Sequence, residues 1–308
     1  MHALSAAGRA LSIDEEAAGY LLAHPGIGRV HSVFDRVVNV ISDKDRLIAL
    51  CSAEMDDAPW SVRVDVEGWA EWRLAAGDRV RLSAAAIAFA GGSSRIVRID
   101  GARKWYTKAI PVELGHGEPG RRAGALAAFL DVHGVDGGVR TSGAAATVFE
   151  AQIQEQLARG CAALVTAVRG EDGPAVVAAA TSLLGLGPGL TPAGDDFLTG
   201  IALLAAQPHS TLSWINPLIG QALDDGPERT TPLSRATLRA ALRGRARQGL
   251  LDLLRVLLDP APVGDELLAR QLRLHAGPVV GIGHTSGTDI LSGLLAGFRL
   301  EEELRGFM

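Results

Sequence analysis

The chain of 308 residues is long enough for two domains with a sizeable buried core. Its 47% hydrophobic and 21% charged residues are typical of a folded globular protein and exclude a disordered one. The net charge of −5 excludes an overall basic surface of the kind that binds nucleic acid. Only 5% of the residues are aromatic, so side chains that could stack on bases are also few.

No segment of the sequence predicts export or membrane insertion. The first residues, MHALSAAGRALSIDEEA, lack the continuous apolar stretch of a signal peptide and contain early acids. No apolar run reaches the ~20 residues that a membrane helix needs. The two cysteines, Cys51 and Cys161, are too few for a disulfide framework or a cysteine-based zinc site. We therefore expect a cytoplasmic protein without membrane or nucleic-acid partners.

Residues 1–118 predict an antiparallel, barrel-like β-rich domain. Short segments rich in Val and Ile alternate with polar residues, and Asp and Gly clusters separate them at about 8–12 residue spacing. The segments are GRVHSVFDRVVNVI, RLIALCSA, WSVRVDV, DRVRLS, AAIAFA and SRIVRIDGARKWY. The tryptophans of this region are expected to fill its core; they are Trp60, Trp69, Trp72 and Trp105.

Residues 119–308 predict a mainly α-helical domain, which makes the chain an α+β protein with segregated halves. Apolar residues recur there at i, i+3, i+4 and i+7. The helical segments are TVFEAQIQEQLARGCAALVTAV, PAVVAAATSLLG, DDFLTGIALLAA, LSRATLRAALRGRARQGLLDLLRVLL and GDELLARQLRLHA. The Gly- and Pro-containing stretch GHGEPGRRAG breaks both patterns and predicts the domain boundary.

A glycine-rich run, LGLGPGLTPAGDDFLTG, precedes one of these helices at Leu184–Gly200. Thr191 and Pro192 are typical of a helix start, as N-cap and first helical residue, and acids in the first turn favour the helix dipole. That explanation leaves two adjacent aspartates between glycines unaccounted for. The run therefore either serves only to start the helix or forms a ligand site, and we favour the ligand site.

A second glycine-rich run, GIGHTSGTDILSGLLAG at Gly281–Gly297, repeats the first. Both contain the pattern G-x-D-[FI]-L-[ST]-G, in which Asp196 corresponds to Asp289 and Gly200 to Gly293. We interpret the two runs as equivalent loop-to-helix corners that face each other, related by a pseudo-two-fold axis. The final glycines would let two helices, or a helix and a ligand, approach closely.

Such corners suit a small anion, because the first turn of a helix has unpaired N–H groups and a partial positive charge. Glycines allow a ligand to reach those donors. The hydroxyls of a third helix start, in RTTPLSRATLRAAL, join the predicted site. The predicted substrate-binding residues are Gly187, Gly189, Thr191, Gly194, Thr230, Thr231, Ser234, Thr285, Ser286 and Gly287.

Four residues are predicted to be catalytic: Asp195, Asp196, His284 and Asp289. Asp195 or Asp196 would form a hydrogen bond with an amide or ureido N–H or hold a cation, and His284 would orient or protonate a leaving group. No HExxH or comparable metal-ligand spacing occurs. The prediction is thus a site without a cofactor; the alternative is Mg²⁺ held by the oxygens of the three aspartates.

These motifs, GLGPGLTPAGDDFLTG, RTTPLSRATLRAAL and GHTSGTDILSGLLAG, resemble the AllH-type subunit family of bacterial oxamate carbamoyltransferase, from anaerobic allantoin degradation. In the β-rich half, GRVHSVFDRVVNV and ARKWYTKAI look like family landmarks. The resemblance implies carbamoyl transfer between an oxalurate-like ureide and phosphate, which yields oxamate and carbamoyl phosphate. It also implies a complex of three different subunits, of which this chain would be one.

The sequence offers no Cys/His or Ser/His arrangement for a nucleophile, which agrees with direct transfer to a bound acceptor. The leading hypothesis is therefore a carbamoyltransferase subunit that binds a small anionic substrate at the paired corners. Two alternatives stay open: a non-catalytic scaffold or regulatory subunit whose corners only lock two helices together, and a stand-alone enzyme acting on another small carboxylate.

Overall fold

The computed structural model describes residues 7–90, 95–141 and 147–306. The chain divides into two compact units, the first ending at Thr107 and the second beginning at Lys108. The boundary predicted at 118/119 lies a short way beyond this division. The intervening segment is bonded to the helical unit, since the Val112 N–H donates to the Pro208 carbonyl over 2.8 Å.

The first unit is a β-barrel in which eight strands close on themselves. They follow one another in the order β5-β4-β3-β2-β6-β7-β8-β1, and β1 pairs again with β5. A ninth strand, β9, continues beside β1 where β8 ends. The strands are β1 (Ala7–Asp14), β2 (Gly26–Val33), β3 (Val37–Ser42), β4 (Leu47–Cys51), β5 (Ser61–Val64), β6 (Arg79–Leu82), β7 (Ala86–Phe89), β8 (Ile96–Arg98) and β9 (Arg103–Trp105).

Most neighbouring strands are antiparallel, as predicted, and three pairs are parallel: β1–β8, β1–β9 and β4–β5. Helix α1 (Glu15–Ala23) follows β1 directly, with its first turn capped by the Asp14 carboxylate. Alternation along a strand predicts which face is buried but not the direction of the neighbouring strand. For that reason the parallel pairs were not predictable.

The barrel interior is a continuous apolar cluster of aliphatic and aromatic side chains. Trp69 and Trp72 belong to this cluster, which confirms the prediction for them, and Trp105 is buried but lies outside the cluster. Trp60 is only half-buried, and the guanidinium of Arg46 lies 4.5 Å from its ring centre. An aromatic ring of this kind can bury one face and present the other to a cation.

The second unit is helical, as predicted. Its described helices are α2 (Glu118–His133), α3 (Val148–Arg169), α4 (Gly173–Leu183), α5 (Ala193–Ala205), α6 (Ile215–Asp225), α7 (Pro232–Ala241), α8 (Gln248–Leu258), α9 (Asp265–Val280) and α10 (Ser286–Arg305). No helix within residues 7–90, 95–141 or 147–306 is long and apolar enough to cross a membrane.

Two helix boundaries differ from the sequence pattern. The stretch GEPGRRAG begins α2 rather than ending a domain, because Pro119 occupies the first turn, where its missing N–H costs nothing. The apolar period over LSRATLRAALRGRARQGLLDLLRVLL predicts one helix, but the chain forms α7 and α8. The break contains Gly244 with φ +72°, a left-handed conformation that an α-helix excludes.

The centre of the helical unit is the pair α5 and α10. Every residue of α5 is buried, as are most of the first fifteen residues of α10. A helix that is buried on all sides must satisfy its polar groups within the protein. Helices α5 and α10 carry the two corner motifs, so the polar residues of these motifs lie in the interior.

Candidate functional site

Helices α5 and α10 meet at the final glycines of the two motifs. A Cβ atom on Gly200 would lie 2.0 Å from the Ile290 carbonyl oxygen, and one on Gly293 would lie 2.0 Å from the Phe197 carbonyl oxygen. Ile290 and Phe197 occupy equivalent positions in the repeat, so the contacts are reciprocal. A local two-fold relation between the motifs requires contacts that are reciprocal in this way. The two corners therefore face each other, as the repeat predicted.

The first glycines of the motifs are also equivalent in the structure. A Cβ atom on Gly194 would lie 2.1 Å from the Leu183 carbonyl oxygen at the end of α4. One on Gly287 would lie 1.9 Å from the Val279 carbonyl oxygen near the end of α9. Each corner thus brings the start of a buried helix against the end of the helix before it, and only glycine fits these contacts.

A hydrogen bond joins the two corners. The hydroxyls of Thr191 and Ser286 lie 2.8 Å apart, although 95 residues separate them in sequence. The structure assigns Pro192 as the N-cap of α5, without a side-chain cap bond, and the first helical residue is Ala193. The Thr191 hydroxyl therefore bonds across the corners rather than capping its own helix.

Asp195 binds three donors and holds the first corner together. Its Oδ1 accepts the Gly185 N–H over 2.9 Å, and its Oδ2 accepts the hydroxyls of Ser234 over 2.8 Å and of Thr230. Burial raises the pKa of this carboxyl, and the three donors oppose that rise. Thr230 and Ser234 are engaged by the aspartate, which places them behind the corner as support.

Asp196 is buried next to Asp195 but has a different environment. Its Oδ2 has no hydrogen-bond partner within the described part of the chain, and only 3% of the residue is exposed. Burial raises the pKa of Asp196 to about 8; the Ser286 and Thr191 hydroxyls lower it, and the charges of Asp289 and Asp195 raise it. A carboxyl with a pKa raised in this way holds its proton to a higher pH than a free one and, while protonated, can donate a hydrogen bond.

Asp289, the counterpart of Asp196, is fully buried in the second corner. Its Oδ1 accepts the Val139 N–H over 2.7 Å, whereas its Oδ2 has no partner among the residues that the structure describes. Burial raises the pKa of Asp289 to about 6, opposed by the Val139 N–H and the Thr285 hydroxyl. When Asp289 is ionised, its Oδ2 is able to accept a further hydrogen bond.

The glycine loop before α5 offers backbone donors. Gly185, Gly187 and Gly189 have φ angles of +73°, +120° and +95°. Successive residues that alternate between right-handed and left-handed backbone conformations form a concave surface of N–H groups that suits an anion. In the described ranges, the N–H groups of Gly187, Gly189 and Thr191 have no hydrogen-bond partner. These residues are partly or fully exposed, so a ligand can reach them.

The remaining predicted residues border the corners. Thr231 caps α7, accepting the Ser234 N–H over 3.1 Å, and its own hydroxyl donates to the Leu190 carbonyl over 2.6 Å. Thr285 precedes α10 and faces Asp289. His284 is exposed at the start of the second corner. Its predicted role as an acid or as an orienting group stays a prediction.

The alternative from sequence, Mg²⁺ held by the three aspartates, stays a prediction. In the described residues, no group of three or more His, Cys, Asp or Glu side chains is arranged to hold a metal ion. Asp195 has both oxygens in hydrogen bonds, so it has no free face for a cation. The remaining pair, Asp196 and Asp289, is one carboxyl short of that set.

The sequence did not predict a further element of the site, the α2–α3 loop. Gly138 lies against Asp289, since a Cβ atom there would be 2.2 Å from either carboxylate oxygen. The same loop supplies the Val139 N–H to Asp289, and its Val135 N–H donates to Thr288 over 3.0 Å. The adjacent glycines of GVDGGVR were the available signal, but no local pattern links them to a helix 150 residues later.

Two family models match this chain. The AllH family N-terminal domain matches residues 9–104, which span most of the barrel. The model described as oxamate carbamoyltransferase subunit AllH matches residues 183–298, which include both corners. Together they cover more than half of the chain. No solved structure matches the chain.

Proposed function

The chain belongs to the AllH family of oxamate carbamoyltransferase subunits, and on that premise we propose that its paired corners bind the small anionic substrate of the transferase. In the proposed reaction a phosphate oxygen attacks the carbamoyl carbon of an oxalurate-type ureide. The bond from that carbon to the inner nitrogen breaks, and this nitrogen takes a proton. The products are oxamate and carbamoyl phosphate, and other subunits complete the enzyme.

The meeting of the two corners carries this proposal. The Thr191–Ser286 hydrogen bond lies beside two buried carboxyls, Asp196 and Asp289, each with one oxygen that lacks a partner in the described ranges. A buried polar atom without a hydrogen bond costs about 1–3 kcal/mol, and folded proteins contain few of them. Other buried atoms of the described residues also lack partners, but these two occupy equivalent positions of the repeat beside the bond that joins the corners, and a ligand there would supply both missing partners.

The groups at the corners match a ligand with both an anionic oxygen and an N–H. The N–H groups of Gly187, Gly189 and Thr191, which have no partner among the described residues, suit a carboxylate or phosphate oxygen. Asp196 and Asp289 suit the remaining polar groups of the ligand, its oxygens and its amide N–H. Asp195 positions the first corner without touching the substrate. Positioning and charge stabilisation of this kind supply most of the rate in direct transfer reactions.

His284 is proposed to act at the exposed edge of the site. An imidazole can donate or accept a proton, so it can protonate the leaving nitrogen or orient it. The side chain is exposed and follows the loop that leads into Thr285 and Ser286. A subunit that contacts the outer end of the substrate would enclose this edge.

A non-catalytic scaffold is the second candidate, and one observation favours it. The glycine contacts between α5 and α10, with all Asp195 bonds made inside the protein, would already justify much of the motif as helix packing. A scaffold would need the glycines but would not need the unpartnered oxygens of Asp196 and Asp289. Ligand binding therefore separates the two candidates.

The test is a thermal-shift panel on the chain alone and assembled with its partner subunits. The ligands are oxamate, oxalurate, carbamoyl phosphate and inorganic phosphate. We expect at least one to raise the melting temperature of the wild type, because a ligand at ~100 times its Kd adds about 2.7 kcal/mol of stability. Thr191→Val and Ser286→Ala should reduce that shift by removing the bridge between the corners.

Matched controls use hydroxyls that bond only within their own helix. Thr237→Val on α7 and Ser292→Ala on α10 remove bonds to the Leu233 and Thr288 carbonyls. Both should keep the full ligand-induced shift. If no ligand of the panel stabilises the wild type, alone or in the complex, the anion site does not exist and the scaffold explanation stands.

A further inference from the structure

The three buried aspartates of the corners differ in the donors that reach them. Asp195 accepts one N–H and two hydroxyls, and Asp289 accepts the Val139 N–H and faces the Thr285 hydroxyl. Within the described residues, the Asp196 carboxyl faces the hydroxyls of Thr191 and Ser286 but accepts no backbone N–H, and those two hydroxyls also bond to each other. A buried carboxyl that lacks an N–H donor is the one that keeps a proton.

The charged surroundings of Asp196 favour the same protonation state. From α10 it faces Asp289, and along its own helix it adjoins Asp195. From α3, the Cys161 thiol lies near Asp289; burial raises the pKa of this thiol to about 12, and the charge of Asp289 contributes. No cationic group contributes to the pKa of Asp196 or Asp289 in the described structure. Three carboxylates in this space would repel one another, and one proton relieves that repulsion.

We propose that the two equivalent carboxyls divide their roles, so that Asp196 enters the complex protonated and donates to an oxygen of the bound anion, while Asp289 enters ionised and accepts an amide N–H of the same ligand. The inference rests on the proposed function for its ligand. It assigns opposite protonation states to two positions that the sequence repeat makes equivalent.

The division explains how an anion can bind among aspartates. A protonated carboxyl donates a hydrogen bond without adding negative charge, and an ionised one accepts from an N–H. The pKa of Asp196 near 8 and that of Asp289 near 6 leave a window in which both states coexist. Above the window Asp196 loses its proton and repels the anion. Below it Asp289 gains a proton and no longer accepts as strongly.

The first experiment needs no ligand. Infrared spectroscopy of the ligand-free chain at pH 7 should show the carbonyl stretch of a buried, protonated carboxyl. Asp196→Asn should remove this signal, and Asp289→Asn should leave it in place. Absence of the signal in the wild type, or its persistence in Asp196→Asn, would overturn the protonation states proposed here whatever the ligand proves to be.

The second experiment measures the pH dependence of oxamate binding by calorimetry between about pH 5 and 9, on the chain assembled with its partner subunits. Wild-type affinity should peak near pH 7 and fall on both sides. Asp196→Asn keeps a neutral donor that cannot ionise, so the alkaline limb of its binding profile should disappear, and at pH 7 it should lose less affinity than Asp289→Asn. Asp289→Asn loses the charged acceptor and should bind ~10-fold or more weakly at pH 7.

The outcomes separate this inference from the proposed function. If wild-type complex binds oxamate with a flat pH profile, or if the two Asn variants lose affinity equally, the division of roles is wrong and the substrate site remains. If wild-type complex binds no ligand of the panel, the substrate site itself is wrong. Melting curves of each variant without ligand report whether it folds, and a misfolded variant leaves the wild-type pH profile and infrared signal as the deciding measurements.

Discussion

Asp195 and Asp196 are adjacent in sequence and both buried, yet they have different hydrogen-bond partners and therefore different roles. Asp195 collects donors from the glycine loop and from the start of α7, so it ties three chain segments together. Asp196 has an oxygen without a partner in the described chain. A paired carboxylate contributes to stability, whereas an unpaired buried one is kept at a cost.

Removing the donors of Asp195 should therefore lower stability. Thr230→Val and Ser234→Ala each take one hydroxyl from a buried carboxyl. We expect each to reduce the free energy of unfolding by about 1–3 kcal/mol, the cost of leaving a buried hydrogen-bonding group without its partner. Chemical denaturation at pH 7 measures this, and Thr237→Val, whose hydroxyl bonds to its own helix near the surface, is the control.

The same variants separate support from substrate contact. If Thr230 and Ser234 only hold Asp195, the ligand-induced thermal shift should survive in both variants once the lower starting stability is taken into account. A complete loss of the shift in stable, folded Ser234→Ala would show that this hydroxyl touches the substrate, as the sequence predicted.

At this scale the sequence predicted the residues better than their roles. The repeat identified Asp196 and Asp289 as counterparts, because spacing within a helix start is local. It could not show that Thr230 and Ser234 serve Asp195, nor that Val139 donates to Asp289, since these bonds join residues 35 to 150 positions apart. Donors that arrive from elsewhere in the chain decide which carboxyl is ionised.

Helices α5 and α10 depend on close backbone contact. Their crossing at Gly200 and Gly293 leaves no room for a side chain on either residue, because the nearest atoms belong to the other backbone. Backbone atoms cannot rotate away as a side chain can, so a clash here moves the whole helix. Both corners move with it.

Gly200→Ala and Gly293→Ala should therefore destabilise the helical unit by at least about 3 kcal/mol, the upper end of the cost of overpacking a core. Urea denaturation followed by far-UV circular dichroism measures the change. The two losses should be of similar size, because the contacts are reciprocal.

Gly277→Ala and Gly124→Ala are the controls for this pair. Both glycines are exposed within helices, and a Cβ atom on either would meet nothing within 4 Å. Alanine has the higher helix propensity, so these variants should be up to ~1 kcal/mol more stable than the wild type. Equal effects in the crossing pair and the control pair would refute the close approach of α5 and α10.

The sequence predicted this contact because a glycine four residues after an aspartate lies on the same helix face. It did not predict the parallel strands of the barrel. Strand β1 pairs with β8 and β9, which lie at the far end of the first unit in sequence. Periodicity reports burial within an element, and the partner of an element is decided by packing across the whole unit.

At the scale of the whole molecule, the division between Thr107 and Lys108 assigns the segment before α2 to the helical unit. Val112 and Leu114 precede α2 and are buried. Their carbonyls accept hydrogen bonds from Arg305 over 3.0 and 3.2 Å, at the end of α10. The segment before α2 thus fastens the last helix of the chain, although the change of periodicity placed the boundary after it.

Two fragments test this boundary directly. A fragment of residues 108–308 should unfold cooperatively, whereas one of residues 119–308 loses the buried Val112 and Leu114 side chains and their bonds to Arg305. Each buried aliphatic side chain contributes about 1.5–3 kcal/mol, so the shorter fragment should be at least about 3 kcal/mol less stable. It also lacks Glu118, which begins α2 and binds Arg121 over 2.9 Å.

Denaturation curves of the two fragments measure the difference. Equal stability would place the functional boundary at 118/119 and would show that the segment before α2 contributes nothing to the unit that carries the corners.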